Sequence, residues 1–152
     1  MNNRSKVLEI AEAYLLEAFT DYDTVPILIS HEKYNLAVYH AQQAVEKLLK
    51  ACLAAEGTIG IYKHEVFRYF KEVFIAKIDA QTMDIIEENL IELEEEWALS
   101  RYPDWDVEPM WIPSQGYTKQ NAEERRDNMN KVFEILTKFL RATYNLGEDR
   151  GH

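Results

Sequence analysis

The chain has 152 residues, 47% apolar and 29% charged, which suits a single domain around one core. Its only cysteine, Cys52, excludes an internal disulfide and a Cys-rich metal site, and it fits a reducing compartment. The net charge of −10 counts against an extended surface that tracks nucleic-acid phosphates.

The negative charge is concentrated in one part of the chain. Residues 79–108 contain eleven acids and a single base, Arg101, whereas the charges of the other residues cancel. Such a segment is typical of a solvated helix face, or of a patch that attracts a basic partner. Glutamates interrupt every apolar run near the N-terminus, so we expect a cytoplasmic protein with no signal peptide and no membrane partner.

Glycine and proline are scarce, with 5 and 4 residues, and this favours helices. Helical spacing predicts a first helix over residues 5–21. A turn over residues 21–26 should follow, because Pro26 disfavours a helical conformation in the residue before it. A second helix is predicted from residue 30 or 31 to residue 56, with Gly57 as its terminator.

Three further helices are predicted, over residues 64–75, 80–99 and 119–144. The helix over 80–99 has an apolar seam for packing against other helices: Met83, Ile86, Leu90, Leu93 and Trp97. The sequence therefore predicts an all-α fold, an antiparallel up-down bundle of about five helices. We expect one domain over residues 1–152, with its core at about 5–144.

Residues 100–118 are predicted to be irregular, because three prolines oppose a regular helix. The segment is rich in aromatic residues: Tyr102, Trp105, Trp111 and Tyr117. A long loop of this kind is usually functional or part of an interface. Its aromatic rings can stack a nucleic-acid base, or serve as hydrophobic lids or dimer contacts.

No motif for a phosphate-cradling loop, a metal or a nucleophile–base pair is present, so we predict no cofactor and no metal site. His40 is either a packed helix residue or a functional one, and His64 either begins a helix or acts in a site. Arg101 either pairs with neighbouring acids or contacts a phosphate at the rim of a cleft. Arg125 can add positive charge nearby.

The segment HAQQAVEKLLKACLAAEG, residues 40–57, closely resembles the second helix of HEPN domains (higher eukaryotes and prokaryotes nucleotide-binding). His64 at a helix start and the segment Arg101-Tyr102-Pro103-Asp104 before the last helix follow in the family's order. The resemblance covers roughly residues 5–144. Glu46, Lys47 and Lys50 match the family motif and are interpreted as mainly structural, since the i,i+4 spacing of Glu46 and Lys50 predicts a pair on one helix face.

The resemblance implies a helical bundle, commonly a homodimer, and many prokaryotic members are partners of a nucleotidyltransferase in toxin–antitoxin pairs. The active branch is a metal-independent ribonuclease with an arginine, four to six residues and then a histidine. After Arg101 those positions are Asp106, Val107 and Glu108, so the histidine is missing.

We therefore predict a nucleotide- or partner-binding module without nuclease activity, associated with a nucleotidyltransferase or toxin–antitoxin system. The alternative is a divergent metal-independent ribonuclease that uses Arg101 with a non-standard histidine, His40 or His64. In either case the partners would be a second copy, a nucleotidyltransferase, and a nucleotide or RNA. The candidate nucleotide- or phosphate-binding residues are Arg101, Tyr102, Trp105, His40, His64 and Arg125.

Overall fold

The computed structural model describes residues 3–61 and 65–147. In those residues helices are the regular elements, joined by turns and loops, and an isolated bridge links Asp104 and Trp111. The helices are α1 (Asn3–Ser30), α2 (Tyr34–Ala55), α3 (Val66–Phe74), α4 (Ala80–Glu94), α5 (Glu96–Leu99), α6 (Pro113–Gly116) and α7 (Lys119–Tyr144). The prediction of an all-α bundle is confirmed: five helices of at least two turns form it, and α5 and α6 are single turns.

The four long helices alternate in direction. Arg125 on α7 pairs with Glu92 on α4, and Asn128 with Asn89, so α4 and α7 are antiparallel. Tyr144 at the end of α7 donates a hydrogen bond to Glu56 at the end of α2, so these two helices end on the same side. The order is therefore up-down-up-down for α1, α2, α4 and α7.

Helix α2 is at the centre and packs against α1 on one side and α7 on another. Thirteen of its 22 residues are buried. Several are alanines, namely Ala37, Ala41, Ala44, Ala51 and Ala54. These short side chains let the neighbouring helices approach α2 closely. The accessible residues of α2 therefore lie beside side chains of those helices.

The predicted end of the first helix at residue 21 was wrong, because α1 continues through Pro26 to Ser30. Pro26 removes one backbone donor from the helix, but its ring lies on the exposed face. Val25 and Ile29 are 0% and 8% exposed, so continuing the helix buries two large apolar side chains.

The turn between the first two helices consequently lies at residues 31–33, later than predicted. Glu32 has a positive φ of 60°, and α2 begins at Tyr34 rather than at residue 30 or 31. The predicted end of this helix is confirmed. Gly57 has a φ of 85°, and the amides of Gly57 and Thr58 bond to carbonyls of the last turn.

The boundaries of the last helix were predicted correctly, since α7 spans Lys119–Tyr144. Thr118 begins it with a capping box: its Oγ1 accepts from the Asn121 amide, and Asn121 Oδ1 accepts from the Thr118 amide. The helix predicted over 80–99 is interrupted at Glu95, between α4 and α5.

The predicted start of the third helix, His64, lies outside the described residues, and α3 begins at Val66. The segment predicted to be irregular contains the single turn α6. Pro113 is tolerated there because it occupies the first turn of that helix. No helix within the described ranges is long and apolar enough to cross a membrane.

Candidate functional site

A carboxylate joins α1 to α2 beneath the surface. Asp21 is 7% exposed, its Oδ1 atom lies 2.7 Å from His40 Nδ1, and its Oδ2 atom accepts a hydrogen bond from Lys47 Nζ at 2.6 Å. The sequence interpretation missed Asp21 because it ended the first helix there. The signal was its position three residues after Ala18 and four before Val25, on the buried face of one continuous helix.

Burial of Asp21 would by itself raise the pKa of the carboxyl group. The hydrogen bonds from His40 and Lys47 and the positive charge of Lys47 act in the opposite direction and hold that pKa below its ordinary value. Asp21 is therefore ionised at neutral pH. It fixes the orientation of the His40 ring, and Nε2 on the other side of that ring points away from the carboxylate.

Arg101 lies in a cage of aromatic rings. Its guanidinium carbon is 4.2 Å from the centre of a Trp97 ring, 4.8 Å from that of Tyr102 and 5.1 Å from that of Tyr39. Arg101 Nε donates a hydrogen bond to the Trp97 carbonyl oxygen at 3.3 Å. Stacking on aromatic faces holds the guanidinium in place without neutralising its charge.

No carboxylate lies within ion-pair distance of Arg101 among the residues that the structure describes. The sequence left open that Arg101 pairs with the acids around it, and this pairing is not formed. The positive charge of the guanidinium is therefore not balanced by an ion pair within the described residues, and its Nε–H group donates to the Trp97 carbonyl oxygen.

Tyr39 connects this cage to His40. The Tyr39 ring centre is 5.1 Å from the His40 ring centre and also 5.1 Å from the Arg101 guanidinium carbon. The His40 ring centre therefore lies at most twice 5.1 Å from the Arg101 guanidinium carbon. We call Tyr39, His40, Trp97, Arg101 and Tyr102 the Arg101 group.

The aromatic candidates in the loop separate into two kinds. Tyr102 is 55% exposed and meets Trp97 edge to face, so it borders the Arg101 group with an accessible ring. Trp105 is 73% exposed and contacts no other ring in the described part of the chain. Trp105 is therefore a surface residue, and its ring is accessible to another molecule.

Two other aromatic residues of the loop brace it from within. Trp111 Nε1 donates a hydrogen bond to the Leu99 carbonyl oxygen at 2.7 Å, and its ring meets Tyr117 edge to face. The Tyr117 hydroxyl donates to the Glu96 carboxylate, and burial together with this bond raises the pKa of Tyr117 well above its ordinary value. These contacts give Trp111 and Tyr117 a structural role.

Arg125 does not join Arg101. Its side chain is 13% exposed, and its guanidinium pairs with Glu92 at 2.5 Å and with Glu124 at 3.5 Å. It therefore links α7 to α4 and has its charge balanced there. His64 lies outside the described residues. In the described ranges, no three His, Cys, Asp or Glu side chains are grouped so that they could hold a metal ion.

The HEPN domain family matches residues 11–140, and the chain belongs to this family. The resemblance to HEPN domains noted from residues 40–57 is thereby confirmed. A relative from Methanocaldococcus jannaschii, named "Putative toxin MJ1304", is 32% identical over 146 residues, which cover 91% of this chain and 93% of the relative.

Two crystal structures have the same fold. TT1696 from Thermus thermophilus superposes with a TM-score of 0.67 at 23% identity, covering 84% of this chain and 96% of that one. ST0689, described as an archaeal HEPN homologue, superposes with a TM-score of 0.64 at 22% identity, covering 86% and 97%. At this level of identity the likeness shows the fold alone.

Proposed function

We propose that this HEPN protein belongs to a toxin–antitoxin-type system and that it binds a nucleotide or RNA through a phosphate at the Arg101 group. One observation carries this proposal. Arg101 is surrounded in sequence by eleven acids, and yet its guanidinium stacks on three aromatic rings and pairs with none of the described carboxylates.

A guanidinium in this state is suited to a phosphate. Its planar array of N–H donors matches two phosphate oxygens, and the aromatic cage has already restricted its rotamers. The exposed ring of Tyr102 offers a face on which a base can stack. Because the chain carries a net charge of −10, we expect a short ligand bound at one place rather than a long strand bound along a groove.

Fluorescence anisotropy with a labelled single-stranded RNA, at low salt and in EDTA, tests this proposal. Arg101→Ala should weaken binding by about tenfold or more, since it removes a charge-assisted pair. Arg68→Ala is the matched control, because Arg68 is an exposed arginine on α3 that pairs with Glu65. Equal binding by the Arg101→Ala variant and the unsubstituted protein would refute the proposal.

A second candidate function is a divergent metal-independent ribonuclease, and the Asp21–His40 pair favours it. A buried carboxylate that orients a histidine is a common arrangement for general acid–base catalysis. Here His40 would take the proton of an RNA 2′-hydroxyl, whose oxygen would attack the phosphorus held by Arg101. The P–O5′ bond would break, leaving a 2′,3′-cyclic phosphate, and the leaving 5′-oxygen would take a proton from water.

Cleavage of labelled RNA in EDTA separates the two candidates. If the protein is a ribonuclease, His40→Ala should lower the rate by about 10²-fold or more. His31→Ala is the control, because His31 lies in the exposed turn before α2. Binding without cleavage would support the first candidate alone. Equal cleavage by all three proteins would assign the activity to a contaminant.

We also propose that the chain forms a homodimer and pairs with a nucleotidyltransferase, as the family resemblance implies. Exposed apolar side chains in and beside the loop support a protein interface there, namely Leu99, Tyr102, Trp105, Val107, Met110 and Ile112. Sedimentation equilibrium of the protein and of Trp105→Ser tests this. We expect a dimer that the substitution weakens, and a monomer at every concentration would contradict the homodimer.

A further inference from the structure

A cavity that differs chemically from the Arg101 group opens between α2, α3 and α4. Its volume is about 310 Å³, and its walls are mainly apolar, with Leu49, Phe67, Leu90 and Leu93 among them. Two carboxyl groups interrupt this apolar lining, Glu46 and Glu94. We call this cavity the Glu46 cleft.

The buried carboxylate of Glu46 has few hydrogen-bond and ion-pair partners. Its side chain is 9% exposed, and its Oε1 atom is buried with no hydrogen-bond partner in the described part of the chain. The other oxygen, Oε2, is 3.9 Å from Lys50 Nζ, which confirms the predicted i,i+4 pair but only as a long contact. A buried polar atom without a partner is costly, so it points to a donor that the isolated chain does not supply.

Glu94 lies at the mouth of the same cleft. The residue is exposed to solvent on its outer side, while the cleft walls partly desolvate its carboxyl group. This desolvation and the negative charge of Glu46 raise the pKa of Glu94. The charge of Glu46 therefore disfavours the ionisation of Glu94 in an apolar cavity, and Lys50 lies near only one oxygen of Glu46.

We infer that the Glu46 cleft binds an organic cation with an apolar stem, such as an alkylguanidinium or an alkylammonium ion. Glu46 Oε1 accepts a hydrogen bond from its charged head, Glu94 supplies a second negative charge at the mouth, and the apolar walls contact the stem. Trp97, which also lines the cleft, adds an aromatic ring for the cation.

A free small molecule and the arginine or lysine side chain of a partner protein share this chemistry. The inference goes beyond the proposed function and does not rest on it, because the ligand carries the opposite charge and binds the carboxylates of Glu46 and Glu94 rather than Arg101. Trp97 belongs to both sites, since its ring stacks on Arg101 and its side chain lines the cleft.

Isothermal titration calorimetry with n-butylguanidinium tests the inference, and n-butylurea is a neutral control of nearly the same shape. We expect the cation to bind at least about tenfold more tightly than the urea. Glu46→Gln keeps the shape and removes the charge, so it should abolish most of that difference. Glu94→Gln should reduce it less, and Glu88→Gln, an exposed change on the same helix outside the cleft, should leave it intact.

N-acetylarginine amide, titrated in parallel, distinguishes the two sources. Binding of both the amide and butylguanidinium supports a side chain presented by a partner, and binding of butylguanidinium alone supports a free small molecule. Equal affinity for cation and urea, or a cation affinity unchanged in both Glu46→Gln and Glu94→Gln, would overturn the inference. Circular dichroism of each variant confirms that the helices persist.

Discussion

His40 Nδ1 lies 2.7 Å from Asp21 Oδ1, and this contact joins the second half of α1 to the first half of α2. Lys47 bonds the other oxygen of the same carboxylate. Asp21 therefore has two roles: it balances charge between the two helices, and it orients the His40 ring of the Arg101 group. The two roles can be separated experimentally, because stability and ligand binding are different measurements.

The first prediction concerns stability and pH. The pKa of Asp21 is lower in the folded chain than its ordinary value of 3.8, so its contribution is fully present above that pH and is lost as the pH falls through the lower folded value. Asp21→Asn should reduce the free energy of unfolding by about 2 kcal/mol at pH 7, because it replaces hydrogen bonds to a charged group.

Urea unfolding at about pH 7 and at a pH below the ordinary carboxyl value of 3.8, where the contribution of Asp21 declines, measures this effect. The difference between the protein and Asp21→Asn should shrink at the lower pH. Asp84→Asn, an exposed change on α4, should alter stability little. A difference that stays the same at both pH values would show that Asp21 does not titrate in this way.

The second prediction concerns the proline inside α1. Pro26 lies on the exposed face of the helix and deprives the Tyr22 carbonyl oxygen of its usual donor. Pro26→Ala should therefore raise the free energy of unfolding by about 1 to 2 kcal/mol, partly offset by the greater freedom of the unfolded chain. Ile27→Ala, at the exposed neighbour, is the control in thermal unfolding. A less stable Pro26→Ala protein would refute this reading of the helix.

The third prediction concerns Gly116. A Cβ atom at this position would collide with the far edge of the Trp111 indole. The indole cannot easily move away, because its Nε1 atom is bonded to the Leu99 carbonyl. Gly116→Ala should cost about 1 to 3 kcal/mol and shift tryptophan fluorescence, whereas Ser114→Ala in the same short helix should be nearly neutral. Unchanged fluorescence and stability would mean that the indole is not held against Gly116.

The fourth prediction concerns Cys52. The thiol is 0% exposed in α2, and burial raises its pKa far above the ordinary value, so little thiolate forms at neutral pH. A thiol-specific reagent should label the native protein slowly, at a rate that rises with denaturant in step with unfolding. Rapid and complete labelling without denaturant would show that α2 opens locally.

The regular parts of the fold were predictable because local signals agree with burial. Both ends of α7 follow from the Thr118 cap and from apolar spacing. Pro26 misled the sequence interpretation because its local cost is real, and the compensating burial of Val25 and Ile29 depends on neighbouring helices. Because the turn was predicted at residues 21–26, the sequence interpretation missed Asp21, which lies on the buried face only if α1 continues past it.

The candidate site was predictable only in part. The family motif identified His40 and Arg101 as residues of interest. In the fold the Tyr39 ring contacts both of them, and its contact with Arg101 joins distant parts of the chain, so local spacing does not predict it. Trp97 was expected as a seam residue, and its stacking on Arg101 depends on how α5 ends. The sequence interpretation placed Arg125 near Arg101, but its guanidinium pairs with Glu92.

The central claim is that the Arg101 guanidinium binds a phosphate, and its own NMR signal is the most direct test. The Arg101 Nε–Hε resonance is assigned by its loss in Arg101→Lys and followed during titration with a 5′-mononucleotide and, separately, with the corresponding nucleoside. We predict a saturable shift of this resonance with the mononucleotide and little with the nucleoside. Binding of the mononucleotide with no change in the Arg101 resonance would contradict the account.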